Sequence, residues 1–157
     1  MQKIIPCLWF NTEAEEAMNF YTSVFKNSKA GKLMRWGNEG HGPAGSVLTA
    51  SFELNGTEFL ALNGGPQFKF TEAVSFQVPC DDQAEVDYYW DKLVAGGGMH
   101  SQCGWLKDKF GLSWQVFPTM LPKLLSDPDR AKADRVMQAM MQMTKIDVAK
   151  LEQAAKG

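Results

Sequence analysis

The residues of this chain best suited to chemistry lie in one segment, residues 103–118. The segment holds a thiol, two indoles, a carboxylate and an amide: Cys103, Trp105, Trp114, Asp108 and Gln115. A thiol can be a nucleophile, but only His100 stands nearby in sequence as a base, and a free cysteine is usually a small buried hydrophobe. Pockets for small molecules combine aromatic walls with a few polar groups. The composition therefore favours a binding site over a nucleophilic active site.

Trp105, Trp114 and Gln115 are the candidate ligand-binding residues of this segment. Trp114 and Gln115 are adjacent in a predicted strand, so their side chains point to opposite faces. The sequence leaves open which of the two faces a ligand. Gln115 has either of two roles: it orients a ligand as donor and acceptor, or it is a buried amide bonded to backbone. Asp108 lies in the polar turn between two strands, where aspartate is common, so we assign it no chemical role.

Three further residues complete the predicted ligand site: Asn63, Phe68 and Cys103. The stretch Asn63-Gly64-Gly65 ends a predicted strand, and it either offers hydrogen-bond donors to a ligand or forms a plain turn. Phe68 would add aromatic contact. The chain has two histidines, His41 and His100, both in glycine-rich stretches. A histidine can act as acid or base near neutral pH, but for His100 we favour a surface-loop role.

The elements that position these residues occur twice along the chain. Residues 4–10 form a predicted strand, and Thr12 with Glu15 gives a capping-box signature for a helix with one apolar stripe. Residues 73–79 form a second strand, and Asp82 with Glu85 repeats the cap. A shift of 68 positions places Phe20-Tyr21 over Tyr88-Tyr89.

Three strands are predicted after each helix. They span about 30–36, 45–54 and 57–63 in the first half, and about 99–102, 103–107 and 112–117 in the second. A tight turn at Asn55-Gly56 joins two of them. The predicted fold is therefore α+β, with a strand-helix-strand-strand-strand unit present twice. Each unit leaves one apolar sheet face, so we expect the two to share a cleft.

We expect one domain over residues 1–157, with module one at about 1–65, module two at about 70–118 and a helical tail at about 119–157. In the tail, Ser126-Asp127-Pro128 predicts a helix start, and a further short helix is predicted near Asp147. The tail helix has a methionine stripe at positions 137, 140 and 143, which is typical of packing or of a subunit interface.

Composition and charge exclude several classes of function. The chain has 157 residues, 45% of them apolar, and a formal net charge of −2. This charge, with no basic run, gives no reason to expect nucleic acid or a membrane surface as partner. Neither a secretory signal nor an apolar run long enough to span a bilayer is evident. Three scattered cysteines suit a reducing compartment, so we expect a cytoplasmic protein.

Several segments together resemble the PhnB-like branch, labelled 3-demethylubiquinone-9 3-methyltransferase-like, of the glyoxalase, bleomycin resistance and vicinal oxygen chelate superfamily. They are Phe-Tyr-Thr-Ser-Val-Phe (20–25), Gly-Pro-Ala-Gly-Ser-Val (42–47), Leu-Asn-Gly-Gly-Pro-Gln-Phe-Lys-Phe (62–70), Val-Asp-Tyr-Tyr-Trp-Asp-Lys-Leu (86–93), residues 103–118, and in the tail residues 135–140 and 145–147. The resemblance implies a pair of βαβββ modules and a homodimer.

The resemblance also implies where a metal would bind, near Pro6, Leu60, Ala73 and Gln115, with Leu60 aligned to Gln115. Of these, only Gln115 has a side chain that could coordinate an ion, and one amide cannot hold a divalent metal. We therefore expect no metal and no cofactor. Two functions remain open: binding of a small apolar or aromatic molecule in a metal-free cleft, or catalysis on a quinone-like or other small aromatic substrate. A third reading is a protein-partner module acting through the methionine-rich tail.

Overall fold

The structure is a computed structural model that describes residues 2–157. It contains two compact units: residues up to Lys69 form unit 1, and residues from Phe70 to Gly157 form unit 2. The elements of unit 1 are β1 (Cys7–Phe10), α1 (Ala14–Val24), β2 (Ser28–Arg35), β3 (Val47–Leu54) and β4 (Thr57–Asn63). Those of unit 2 are β5 (Ser75–Cys80), α2 (Gln83–Leu93), β6 (Met99–His100), β7 (Trp105–Lys107), β8 (Ser113–Pro118), α3 (Met120–Leu125), α4 (Arg130–Met141) and α5 (Val148–Lys156).

The sheet of unit 1 has the strand order β1-β4-β3-β2. β1 runs parallel to β4, and the other neighbours are antiparallel. Side chains of the sheet alternate between a buried face and a more accessible face, as a half-covered sheet requires. The apolar stripe of α1 covers the buried face, where Tyr21 stacks on Phe52 with ring centroids 5.8 Å apart. The predicted turn at Asn55-Gly56 is confirmed: both residues have positive φ, 49° and 81°, as the favoured two-residue hairpin turn requires.

The predicted cap of the first helix is wrong. α1 begins at Ala14, and no side chain of the adjoining residues caps it. Asn63 at the end of β4 supplies the cap instead: its Oδ1 accepts a hydrogen bond from the Ala14 N–H at 2.9 Å. The Asn63 Nδ2 also donates to the carbonyl of Val47 at 3.0 Å. A tertiary contact has therefore replaced the local Thr12 cap.

The sheet of unit 2 repeats the arrangement, with the order β5-β8-β7-β6, β5 parallel to β8 and the remaining pairs antiparallel. Here the predicted cap is confirmed, because Asp82 Oδ1 accepts from the Glu85 N–H at 2.8 Å. Glu85 in turn accepts from the Asp81 N–H at 2.6 Å. The doubled βαβββ fold of the glyoxalase type, with helices at the C-terminal end, is thus confirmed. The shared cleft stays a prediction.

The tail differs in detail from its prediction. A helix absent from the prediction, α3, follows β8, and α4 begins at Arg130 with Asp129 as its cap, two residues beyond Pro128. The start of α5 after Asp147 is as predicted. The helices enclose a small core of their own: Leu121, Val136, Met143, Ile146 and Leu151. The tail is therefore a packed part of unit 2.

Candidate functional site

The sheet of unit 2 presents two chemically different faces. Residues of one parity, among them Val78, Leu106 and Val116, are buried on the side that α2 covers. The residues that alternate with these along each strand point to the opposite side and form what we call the open face: Ser75, Gln77, Trp105, Lys107, Ser113 and Gln115. Most of the side chains of the open face are polar, and they stand in two rows across the strands. The open face is the part of unit 2 best equipped to hold a ligand.

The structure places Trp114 on the covered face, where it is 3% exposed. Its indole Nε1 donates to Asp108 Oδ2 at 2.9 Å. Asp108, also 3% exposed, accepts further hydrogen bonds at Oδ1 from the backbone of Phe110 at 2.9 Å and of Leu112 at 3.0 Å. Trp114 is thus a core residue held by a buried carboxylate, and we leave it out of the ligand site.

Gln115 lies on the open face, between Trp105 on one neighbouring strand and Gln77 on the other. Its Nε2 donates to Ser75 Oγ at 2.8 Å, and its Oε1 is an acceptor that can still take a bond. In the next row, Lys107 and Ser75 flank Ser113. Side chains directly opposite each other in a sheet lie within reach of one ligand group.

A cavity of about 250 Å³ lies over this part of the sheet. Its lining includes Glu72, Met99, Trp105, Lys107 and Ser113. Ser113 is 1% exposed, and its Oγ has no hydrogen-bond partner among residues 2–157. Buried hydroxyls nearly always find a partner, so this atom marks the cavity as a place where a further polar group fits.

The charged groups at this cavity are an ion pair. Lys107 Nζ contacts the carboxylate of Glu72, and both side chains are about half exposed. The hydrogen bond from Lys107 holds the pKa of the Glu72 carboxyl below its usual range. Glu72 is therefore ionised at neutral pH, and its carboxylate is the anion that Lys107 contacts.

His100, at the edge of the same cavity, packs against Trp90. Its ring stacks on Trp90 at a centroid distance of 4.2 Å, and its Nε2 lies 2.9 Å from the Trp90 carbonyl oxygen. A carbonyl can only accept, so we assign the ring proton to Nε2. This arrangement agrees with a packing role more than with acid–base work.

Cys103 belongs to a tight turn between β6 and β7 that the tail holds in place. Cys103 and Gly104 both have positive φ, 57° and 83°. Their N–H groups donate to the carbonyls of Met143 and Thr144 at 2.9 and 2.8 Å. A Cβ on Gly104 would lie 2.5 Å from the Val116 carbonyl oxygen, so only glycine fits there. Cys103 is thus half-buried next to the tail, and the turn sets where β7 and Trp105 begin.

Unit 1 holds the other two predicted site residues. The amide of Asn63 is committed to capping α1, as described above, although Asn63 also borders a separate cavity of about 590 Å³. That cavity is lined by, among others, Glu15, Arg35, Trp36, His41 and Gln67. Phe68 is 66% exposed and meets Trp9 edge-on with centroids 5.0 Å apart. Within unit 1 the structure therefore gives Asn63 a structural task and leaves Phe68 accessible.

The strand register corrects the alignment of Leu60 with Gln115, on which the predicted metal positions partly rest. Leu60 lies beside Cys7, and a shift of 68 residues turns Cys7 into Ser75, whose partner is Ser113. The counterpart of Leu60 is therefore Ser113 and not Gln115. The error arose because Gly56 ends a two-residue turn, whereas the turn before β8 is longer.

The side chains at these paired positions do not fit a metal. One thiol, one leucine and two serines provide no histidine or carboxylate for a divalent ion. Residues 2–157 contain no group of three or more His, Cys, Asp or Glu side chains placed to hold an ion. No mechanistic step is therefore derived through a metal.

Sequence reasoning missed Ser113, Lys107 and Glu72. A signal was present for the first two, since a period of two counted back from Gln115 reaches Ser113, and Lys107 follows Trp105 by two. Glu72 precedes β5, and no local pattern connects it to Lys107.

Comparisons with known proteins agree with this architecture. The profile of the 3-demethylubiquinone-9 3-methyltransferase family matches residues 2–117. A solved structure titled as a putative 3-demethylubiquinone-9 3-methyltransferase, PhnB protein, from Bacillus cereus is 38% identical, with a TM-score of 0.68 over 75% of this chain and 100% of that one. A protein from Pseudomonas aeruginosa is 20% identical, with a TM-score of 0.61 over 75% of this chain and 98% of its own, and shows the fold alone.

No curated protein matches the chain. Among residues 2–157, none of the helices has the length and apolar character needed to cross a membrane. The family match covers both βαβββ units and ends before the tail helices. The chain belongs to the PhnB-like 3-demethylubiquinone-9 3-methyltransferase family.

Proposed function

We propose that this protein binds a small, single-ring aromatic molecule on the open face of unit 2, without a metal ion. The observation that carries the proposal is the pairing of an accessible indole, Trp105, with the orphan hydroxyl of Ser113 over one cavity. Gln115 lies beside Trp105 on the open face, next to the cavity and outside its lining, and its Oε1 is a further acceptor nearby. A volume of about 250 Å³ lies just under the roughly 300–1,000 Å³ typical of drug-sized ligands, so a single ring is the size that fits.

Binding is better supported than methyl transfer, which enters only through the name of the family. Nucleotide-like cofactors are typically held by a glycine-rich turn at the carboxyl end of a doubly wound parallel sheet. Both sheets here are mixed and four-stranded. Nothing observed at the open face favours a methyl donor.

The test is ligand titration of the intact protein, with phenol, benzamide and benzoate as probes. At least one should quench tryptophan fluorescence saturably and raise the melting temperature, because a ligand that binds only the folded state stabilises it. The Trp105→Ala variant should lose both effects. Trp36→Phe, which alters an indole of unit 1, is the matched control and should keep them.

Three results would count against the proposal: no response to any probe, an unchanged response in Trp105→Ala, or one equivalent of metal per chain after purification without chelator. Stabilisation by S-adenosylmethionine would shift the balance to the enzyme alternative. We further propose that the protein is a homodimer.

A further inference from the structure

The unpaired hydroxyl of Ser113 restricts which ligand group can bind beside it. Its residue is 1% exposed, and the atom has no partner within residues 2–157. The hydroxyl can donate one hydrogen bond and accept others. A ligand oxygen at this spot would satisfy the buried donor, whereas a wholly apolar ligand would leave it unpaired at a cost.

The neighbour of Ser113 selects among oxygen-bearing groups. Lys107 lies directly opposite Ser113 in the β7–β8 pair, so the two side chains share the open face. A serine hydroxyl and an ammonium side by side are both donors to one oxyanion. Neutral oxygens would satisfy Ser113 but would not use the charge.

Glu72 shows which anion suits Lys107. Its carboxylate contacts Lys107 Nζ, and both side chains are about half exposed. Such exposed pairs contribute little to stability, so Lys107 can exchange this internal carboxylate for one that a ligand brings. Trp105 and Met99 add an aromatic and an apolar wall to the same cavity.

Resting on the proposed function above, we propose that the natural ligand is a small aromatic carboxylate. Its ring lies against Trp105, and its carboxylate accepts from Ser113 Oγ and Lys107 Nζ in place of Glu72. The protein therefore discriminates for the anion over neutral rings of the same size.

The experiment compares benzoate with benzamide, its neutral isostere, on ¹⁵N-labelled full-length protein, with the indole N–H signals of the tryptophans as readout. Benzoate should shift the Trp105 signal saturably and bind about tenfold or more tightly than benzamide, the factor expected for a hydrogen bond to a charged group. Ser113→Ala and Lys107→Met should each remove most of this preference.

Two variants guard against misreading a folding defect. Ser113→Ala deletes an unpaired buried hydroxyl, so its melting temperature should equal or exceed that of the wild type while benzoate affinity falls. Glu72→Gln removes the competing carboxylate, so benzoate should bind severalfold more tightly.

The outcomes separate the two proposals. If benzamide and benzoate bind equally at Trp105 and Ser113→Ala changes neither, the carboxylate proposal is overturned while the proposed function stands. If no ring compound shifts the Trp105 signal, both fail. Weaker benzoate binding in Glu72→Gln would also overturn the exchange of carboxylates at Lys107.

Discussion

We predict that the Asp108 carboxylate contributes strongly to the stability of unit 2, and the Asp108→Asn substitution tests this prediction. The carboxylate is 3% exposed and accepts from two backbone N–H groups at Oδ1 and from the Trp114 indole at Oδ2. An asparagine has one acceptor oxygen and an NH₂ group. Whichever way the amide is turned, at least one of these buried donors faces another donor.

The size of the effect follows from the bonds involved. One hydrogen bond to a charged group is lost, at roughly 1.5–3 kcal/mol, and the remaining bonds are weakened to neutral ones, at several tenths of a kcal/mol each. We expect Asp108→Asn to lower the free energy of unfolding by about 3 kcal/mol, a large share of the 5–15 kcal/mol typical of a domain.

The assay is urea unfolding followed by far-UV circular dichroism, with Asp134→Asn as the matched control. Asp134 is an exposed aspartate that lies 3.8 Å from Arg130, so its substitution should change the free energy of unfolding by no more than about 0.5 kcal/mol. In a Trp114→Phe background the cost of Asp108→Asn should fall by about 1 kcal/mol, because the indole donor is already absent. An Asp108→Asn variant as stable as the control would refute this reasoning.

Three further predictions concern a thiol, the tail and the assembly. Burial, reinforced by nearby carboxylates, raises the pKa of Cys80 from 9.0 to about 12. The contribution of the Cys80 thiol to stability should therefore be complete below pH 9 and lost as the pH rises toward 12. Cys80→Ala should flatten the alkaline part of the stability–pH curve, and an unchanged slope would argue against this linkage. Gln83 bonds to the carbonyl of Ile146 and the N–H of Val148, at the start of α5, at 3.1 and 2.7 Å. Gln83→Ala should therefore loosen the tail and speed hydrogen exchange at the Gly104 amide. Protection equal to wild type would contradict this. Met137 and Met141 on α4 are 40% and 61% exposed, and we predict that they lie in the dimer interface. Light scattering should report a dimer for the wild type and a monomer for the variant with both methionines replaced by lysine. A monomeric wild type would refute the dimer proposal.

The sequence predicted best where local chemistry decides the outcome. The Asn55-Gly56 turn needs two residues that tolerate positive φ, and the chain supplies them at that point. The Asp82 cap likewise forms within one turn of helix. The Thr12 cap obeys the same local rule but does not form, and Asn63, 49 positions beyond Ala14, accepts the hydrogen bond from the Ala14 N–H instead.

The candidate site was harder to predict, since it depends on which face each strand turns inward. Trp114 and Gln115 are adjacent and both plausible, and only the register with β5 and β7 puts the indole under α2 and the amide on the open face. Whether the Ser113 hydroxyl lacks a partner depends on the position of every neighbouring donor and acceptor. Such a property cannot be read from a strand pattern.

The two halves of the repeat have diverged most on their accessible sheet faces. In unit 1 that face carries Trp9 and Leu60, whose counterparts in unit 2 are Gln77 and Ser113. The covered faces, by contrast, stay apolar in both units. Packing under the helix restricts one face of each sheet to apolar residues, but nothing in the fold requires a row of serines and glutamines on the other. A buried hydroxyl without a partner even costs stability, so the polar open face of unit 2 supports the ligand site proposed for it.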